Sequence, residues 1–190
     1  MAARVSRREF LQSGAAAGVG MTVWFTFGEG VGRAAGASAF DPDASMTITP
    51  DGLVTVHITK SEMGQGVGTA LAQIVAEELE ADWKDIRVDY PTSDPKLGLM
   101  ITGGSWSVNW TFDSLSRAGA AARMALIDAA AQRWKVPPDE CVASRGVVRH
   151  PPSGRSISYG DIVAKAPITK KFTPDDLKKI TLKKPAEYKI

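Results

Sequence analysis

The stretch MTITPDGLVTVHITKSEMGQGVGTALAQIVAEELE, residues 46–80, decides the fold. Asp51-Gly52 sits between two alternating runs rich in β-branched residues, 46–50 and 53–58, and so predicts an antiparallel hairpin. His57 alternates with Val54, Val56 and Ile58, which puts it on the opposite face of its strand as a sheet-surface histidine. From residue 67 the period lengthens. Val67, Leu71, Ile74, Val75 and Leu79 recur at threes and fours, predicting a helix over 67–80 with Glu77, Glu78 and Glu80 on its wet side. Between strand and helix lies a glycine turn, Glu62-Met63-Gly64-Gln65-Gly66.

Outward from this unit, residues 85–90 alternate as a strand stopped by Pro91. Residues 112–134 read as a long alanine-rich helix whose buried stripe is Leu115, Gly119, Ala122, Leu126 and Ala129 or Ala130. Asp113 and Arg117 are spaced to pair along it, and its small residues let another element approach closely. Pro137-Pro138 ends it. A short hairpin is expected from 147–150 and 154–156, then a brief helix to 165 capped by Ser158 and Asp161. Residues 168–190 hold seven lysines against Asp175, Asp176 and Glu187, and read as an extended arm over a partner. The fold class is α+β: a mixed sheet with the two main helices packed on one face, one domain over 40–167.

The chain has 190 residues, 44% hydrophobic and 23% charged, an ordinary globular composition. Its net charge of +2 comes from Arg4, Arg7, Arg8 and Arg33 against Glu9 and Glu29, leaving residues 40–190 balanced. Such a body is no polyanion surface, which excludes nucleic acid as the expected partner. A single cysteine, Cys141, excludes an internal disulfide and any four-cysteine metal site, and with no histidine nearby it is expected buried and inert. Residues 1–39 read as a leader. Ser6-Arg7-Arg8-Glu9-Phe10-Leu11-Gln12 is a twin-arginine export pattern, an uncharged run follows over 10–28, and 35–37 and 37–39 both fit an A-x-A cleavage site. Retention of the uncharged run as a membrane anchor stands as the alternative. The twin-arginine route carries proteins already folded, commonly with a cofactor inside.

Two glycine turns carry the chemistry. The first, residues 62–68, has backbone N–H groups at a helix N-terminus that suit an anion or a polar ring edge. It is not a dinucleotide fingerprint, because Thr69 stands where a third glycine belongs, nor a P-loop. The second, Thr102-Gly103-Gly104-Ser105, precedes the long helix, and its glycine pair leaves no Cβ in a ligand's way. From the residues alone, each turn either connects two elements or grips a ligand through the main chain, and both readings stand.

At these residues the sequence resembles a known family. The segment 51–66 ending in E-M-G-Q-G, the helix with Gln73 and Glu77-Glu78-Leu79, and T-G-G-S at 102–105 resemble the molybdopterin-binding large subunit of the xanthine oxidase family. The nearest branch is the periplasmic one of isoquinoline 1-oxidoreductase β subunits and membrane-associated aldehyde dehydrogenases. The resemblance covers about residues 44–190 and implies a part of a larger molybdopterin-binding domain. It implies oxidation of an aldehyde or an aromatic N-heterocycle with water-derived oxygen, and a molybdopterin cofactor in its cytosine dinucleotide form. It further implies 2Fe–2S clusters in a separate small subunit and a c-type haem in a cytochrome subunit. By motif, Gly64 and Gln65 match one cofactor loop and Gly103, Gly104 and Ser105 the other. The pterin supplies the metal's sulfur ligands, so the protein needs none of its own.

The same resemblance marks what is missing. Family large subunits are several times longer and carry a catalytic glutamate, in a G-E segment near the far end, that has no counterpart here; Glu62 does not match it. The expectation is therefore an N-terminal piece of a molybdenum subunit, periplasmic and associated with the cytoplasmic membrane, completed by a longer partner chain that supplies base and pocket. Alone it would leave an open face. Trp106 is expected to pack rather than face the site. The alternatives are a non-catalytic exported binding or assembly protein, or a truncated remnant; a hydrolase is disfavoured, since no G-x-S-x-G elbow occurs.

Overall fold

The computed structural model describes residues 21–26, 42–93, 100–165, 168 and 172–190. Of the expected leader, residues 1–20 and 27–39 lie outside these; Met21–Thr26 form strand β1. β1 pairs antiparallel with β2 (Pro42–Ile48), β2 antiparallel with β3 (Val54–His57), and β3 parallel with β4 (Ile86–Asp89). The result is one mixed sheet in sequence order. The predicted hairpin closes at Gly52, whose φ of 87° only glycine adopts freely, with Thr49 N–H donating to Leu53 O at 3.0 Å. The parallel pair needs a crossover, and helix α1 (Val67–Leu79) supplies it.

Met46, Ile48, Val54 and Val56 bury one face of the sheet under α1 and the long helix α2 (Ser107–Trp134). His57 stands on the other face, as expected, with Nδ1 at 2.8 Å from Asp89 Oδ2. The helices meet at Gly119. A Cβ there would lie 2.7 Å from Val75 O and 3.0 Å from Glu78 Cβ, so the alanine stripe does admit a close neighbour. Ala130, buried, rather than the half-buried Ala129 completes that stripe. α2 begins at Ser107, not 112, because its first turns carry Val108 and Trp110 outward and so show no apolar stripe facing the core.

A second sheet, not anticipated beyond its hairpin, joins β5 (Val142–Ser144), β6 (Val147–His150) and β7 (Arg155–Ser158) antiparallel. β5 carries no alternation to read: Val142 is exposed and its two neighbours are small. Arg145 and Gly146, both at positive φ, make the turn after it. Helix α3 (Tyr159–Val163) follows, with Ser158 Oγ accepting from Asp161 N–H at 3.0 Å as expected. Buried Tyr159 fastens this sheet to the end of α1, its hydroxyl donating to Leu79 O at 2.7 Å. Cys141 is buried, and burial, then the nearby Glu140 charge, pushes its thiol up, away from the reactive thiolate.

The lysine-rich arm departs from expectation. It lies over the chain's own helices, and it turns the wet side of α1 into an interior. Helix α4 (Pro174–Lys179) buries Leu177 against α2, and Arg117, besides its predicted pair with Asp113 at 2.7 Å, donates to Leu177 O. Lys183 Nζ reaches Glu77 Oε1 at 2.6 Å and Glu80 Oε1 at 2.7 Å. Glu77 Oε2 accepts from the backbone N–H groups of Lys189 and Ile190, and Glu78 Oε1 from that of Lys183. Glu77 and Glu78 are therefore buried, not solvated. Burial pushes Glu77 up, but Lys183 and the two N–H groups outweigh it and hold the carboxyl below the usual glutamate range; Glu80 is held low in the same way. For Glu78 burial wins and its pKa is raised.

Two outcomes follow from this packing. Gly119→Val forces α2 off α1 and is expected to cost about 1–3 kcal/mol, read as a lower midpoint in thermal unfolding. The arm should be acid-labile. Glu77 and Glu80, lowered on folding, hold it above their unfolded pKa of 4.5, and that hold is lost as pH falls through their folded values. Glu78, raised on folding, works in the opposite sense and softens the loss. Amide hydrogen exchange in the arm, relative to the intrinsic rate, should thus accelerate as pH falls below about 4.5, and at pH 7 in Lys183→Met, where buried Glu77 loses its cation at about 3 kcal/mol and Glu80 keeps only Lys189.

Candidate functional site

Both glycine turns end at the N-terminus of a main helix, and the fold brings them together. Ser61 N–H donates to Thr102 Oγ1 at 2.7 Å, tying one turn to the other across forty intervening positions of chain. Between them opens a cleft of about 310 Å³ lined by Met63, Gln65, Gly66, Val67 and Ala70 on one side and Thr102, Gly103, Ser105, Ser107 and Val108 on the other. Of the residues singled out from sequence, Gln65, Gly103 and Ser105 line it. Gly64 and Gly104 do not; they shape the turns, at φ of 91° and 60°. Ser105 itself sits at φ 60°, a left-handed conformation costly for a residue with a Cβ, held by the turn around it.

The first turn is built on its own acid. Glu62 Oε1 accepts from the N–H groups of Gly64 and Gly66, each at 2.9 Å, and Oε2 from Gly68 N–H at 3.1 Å. Positive φ at Gly64 and Gly66 turns those N–H groups inward as a nest. The bonds from Gly68 and Gly66, above all, hold the Glu62 carboxyl below its usual range, and Tyr90 Oη sits 3.5 Å away. Gln65 is also anchored locally: its Oε1 accepts from Met63 N–H at 2.6 Å and its Nε2 donates to Ser61 O at 2.9 Å. Of the two ligands these amides were expected to suit, an anion or a polar ring edge, the anion's place at Gly64, Gly66 and Gly68 is taken by the chain's own carboxylate.

In the second turn a Cβ on Gly104 would strike Trp106 Cδ1 at 2.5 Å, whereas a Cβ on Gly103 would meet nothing within 4 Å. Trp106, expected to pack, is half exposed, its ring centroid 5.3 Å from that of equally exposed Trp110. Met63 and Val108, on the cleft wall, and Ile101 and Phe112 are exposed as well, with Val108 and Phe112 on the opposite side of α2 from the two tryptophans. Sequence reasoning missed Val67, Ala70, Ser107 and Val108 as lining. For the last two the signal was hidden by starting α2 too late. Among the described residues no cluster of three or more His, Cys, Asp or Glu could hold a metal ion. The cleft offers neutral amide and hydroxyl groups and aliphatic walls, chemistry that fits the edge and faces of a flat heterocycle bringing its own metal ligands.

Comparison with known proteins agrees with this chemistry. The family model for a molybdopterin cofactor-binding domain matches residues 2–189. The chain is 46% identical over 155 residues to a membrane-bound aldehyde dehydrogenase (pyrroloquinoline-quinone) of Gluconacetobacter polyoxogenes, across 82% of this chain and 20% of that protein. It is 37% identical over 185 residues to isoquinoline 1-oxidoreductase subunit beta of Brevundimonas diminuta, across 89% and 23%. The solved structure of reconstituted CO dehydrogenase from Oligotropha carboxidovorans shares the fold, with a TM-score of 0.51 at 22% identity over 63% of this chain and 15% of that one. The chain spans about a fifth of the length of the curated relatives it matches. It belongs to the molybdopterin cofactor-binding domain family.

Because Gly103 faces open space, Gly103→Val should fold as the parent does, within about 0.5 kcal/mol by denaturant titration. Its side chain would occupy the cleft, and cofactor retention should fall.

Proposed function

We propose, with that membership as premise, that this chain is the cofactor-contacting N-terminal part of a molybdenum hydroxylase-type oxidoreductase. The observation that carries the reading is the convergence of two glycine turns on one cleft of neutral hydrogen-bonding groups. Molybdopterin would lie there, with Gln65, Gly103 and Ser105 toward it and Gly64 and Gly104 fixing the bends. When bound, the pterin supplies the sulfur ligands of the molybdenum and the path for two electrons from substrate. This chain's residues orient the pterin edge and keep one side of it from water. The class of substrate is a small aldehyde or an aromatic N-heterocycle, after the names of the two relatives.

A longer partner polypeptide would carry the catalytic base and most of the pocket. Exposed apolar side chains support it: Met63 and Val108 at the cleft and the paired Trp106 and Trp110 on the other side of α2 are surfaces that a large remaining portion would cover. Electrons would leave through a small subunit with 2Fe–2S clusters and on to a c-type cytochrome. The cytosine dinucleotide form of the pterin, export by the twin-arginine route and a periplasmic, membrane-associated location complete the reading. The leader motif at 6–12 and the membrane-bound relative support the last two. Among the described residues no helix is long and apolar enough to cross a membrane.

A second cofactor reading has its own observation, because one relative's name carries pyrroloquinoline quinone. Metal and cofactor analysis decides between them. Co-expressed with the longer chain, this protein should purify in a complex holding one molybdenum and one pterin, with aldehyde- or heterocycle-oxidising activity. Stoichiometric quinone without molybdenum would overturn the reading. So would full loading and activity of the complex lacking this chain. A stable, monomeric, cofactor-free protein that ignores the longer chain would favour the binding or assembly role.

A further inference from the structure

The Glu62 carboxylate holds three N–H groups yet does not line the cleft. The cleft wall is made by the other side of the same turn, through Met63, Gln65 and Gly66. The N-terminus of α1 would otherwise present free amides and a partial positive charge to any nearby anion. Glu62 takes one of those amides, Gly68 N–H, together with the Gly64 and Gly66 N–H groups just ahead of the helix, and sets a negative charge against that terminus. The Tyr90 hydroxyl, just after β4, donates to Glu62 Oε2 at 3.5 Å, and Gly68 leaves room for it, since a Cβ there would overlap Tyr90 Oη. Gln65, pinned at both ends of its amide to Ser61 and Met63, cannot swing out to replace it.

We propose that Glu62 is a positioning residue: its carboxylate is a permanent internal anion that sets the shape of the 63–66 wall, so that the turn meets the cofactor through a neutral edge and not through a phosphate. The inference rests on the proposed function for its cofactor, and on geometry alone for the internal anion. Two oxygens serve three donors, so the charge and the second oxygen each matter. Glutamine in its place keeps one oxygen for Gly64 and Gly66 but turns an NH2 group toward Gly68 N–H, donor against donor. Alanine empties the nest and leaves three amides facing a space that a small carboxylate fits.

Amide hydrogen exchange on the full chain tests the internal anion directly. The N–H groups of Gly64, Gly66 and Gly68 should be protected in the parent protein and exchange about tenfold faster in Glu62→Ala, the scale of one charge-assisted hydrogen bond. Added formate should restore protection and formamide should not, a distinction that a general loss of packing would not make. Glu62→Gln, which keeps the side chain's bulk, should lose protection at Gly68 first. In the complex with the longer chain, molybdopterin content should fall in Glu62→Ala and recover when the complex is assembled in formate. Equal exchange in parent and variant, equal rescue by formamide, or full cofactor loading of Glu62→Ala overturns the proposal and leaves the proposed function standing. A parent complex without molybdenum, its three amides still protected, overturns the function instead.

Discussion

The structure depends on how closely α2 approaches α1. At Gly119 the two backbones come within reach of one another, with no room for a Cβ beside Val75 O. Ala118, Ala121, Ala122 and Ala125, fully or nearly fully buried, keep the seam narrow on either side. The contact also fixes direction. Val67 and Ala70 share the cleft with Ser107 and Val108, while Gly119 abuts Val75, Glu78 and Leu79, so both helices run the same way from the cleft toward the arm. Two helix N-termini thus converge where the glycine turns lie. A wider seam would part Ser61 from Thr102, and with them the two walls of the cleft.

At the opposite end the same geometry gathers negative charge. Glu77, Glu78 and Glu80 crowd the last turn of α1, where the helix dipole already disfavours acids. Lys183 and Lys189 fold back onto Glu77 and Glu80, and Arg123 of α2 stands 3.8 Å from Glu78 Oε2, which has no hydrogen-bond partner among the described residues. The arm is therefore part of the body. It covers α1 and α2 together and braces the seam from the side away from the sheet. A cluster of this kind costs desolvation and tolerates no missing member, so cleft and arm are coupled through the stiffness of two helices.

Local periodicity made much of this legible, and distant pairing hid the rest. The Asp51-Gly52 hairpin, the α1 period, the Gly119 stripe and the Ser158 cap each declare themselves within a few residues, and each stands in the structure. The glutamates of α1 look solvated because their partners lie more than a hundred positions away. The start of α2 escaped for another reason. Val108 and Trp110 face outward, so the pattern that reveals a helix by its buried side was absent where that side is not buried by this chain. The motif pair E-M-G-Q-G and T-G-G-S located both cleft walls. It did not reveal that Glu62 occupies the amides of its own turn, a pairing set by the three-dimensional path of the turn.

That occupation changes what the glycines are for. A glycine turn ahead of a helix is commonly read as a cradle for phosphate, because free amides and a dipole invite an anion. Here the invitation is answered from within, and the positive φ at Gly64 and Gly66 serves to wrap main chain around a carboxylate. The surface left for a ligand is correspondingly neutral, with the Thr102, Ser105 and Ser107 hydroxyls, the Gln65 side chain and aliphatic walls. Such a surface suits the edge of a flat polar ring. The carboxylate gives the turn hydrogen bonds of its own, made within the chain at Gly64, Gly66 and Gly68. A wall set in advance by bonds within its own turn loses less conformational entropy on meeting a ligand than one that must first be ordered.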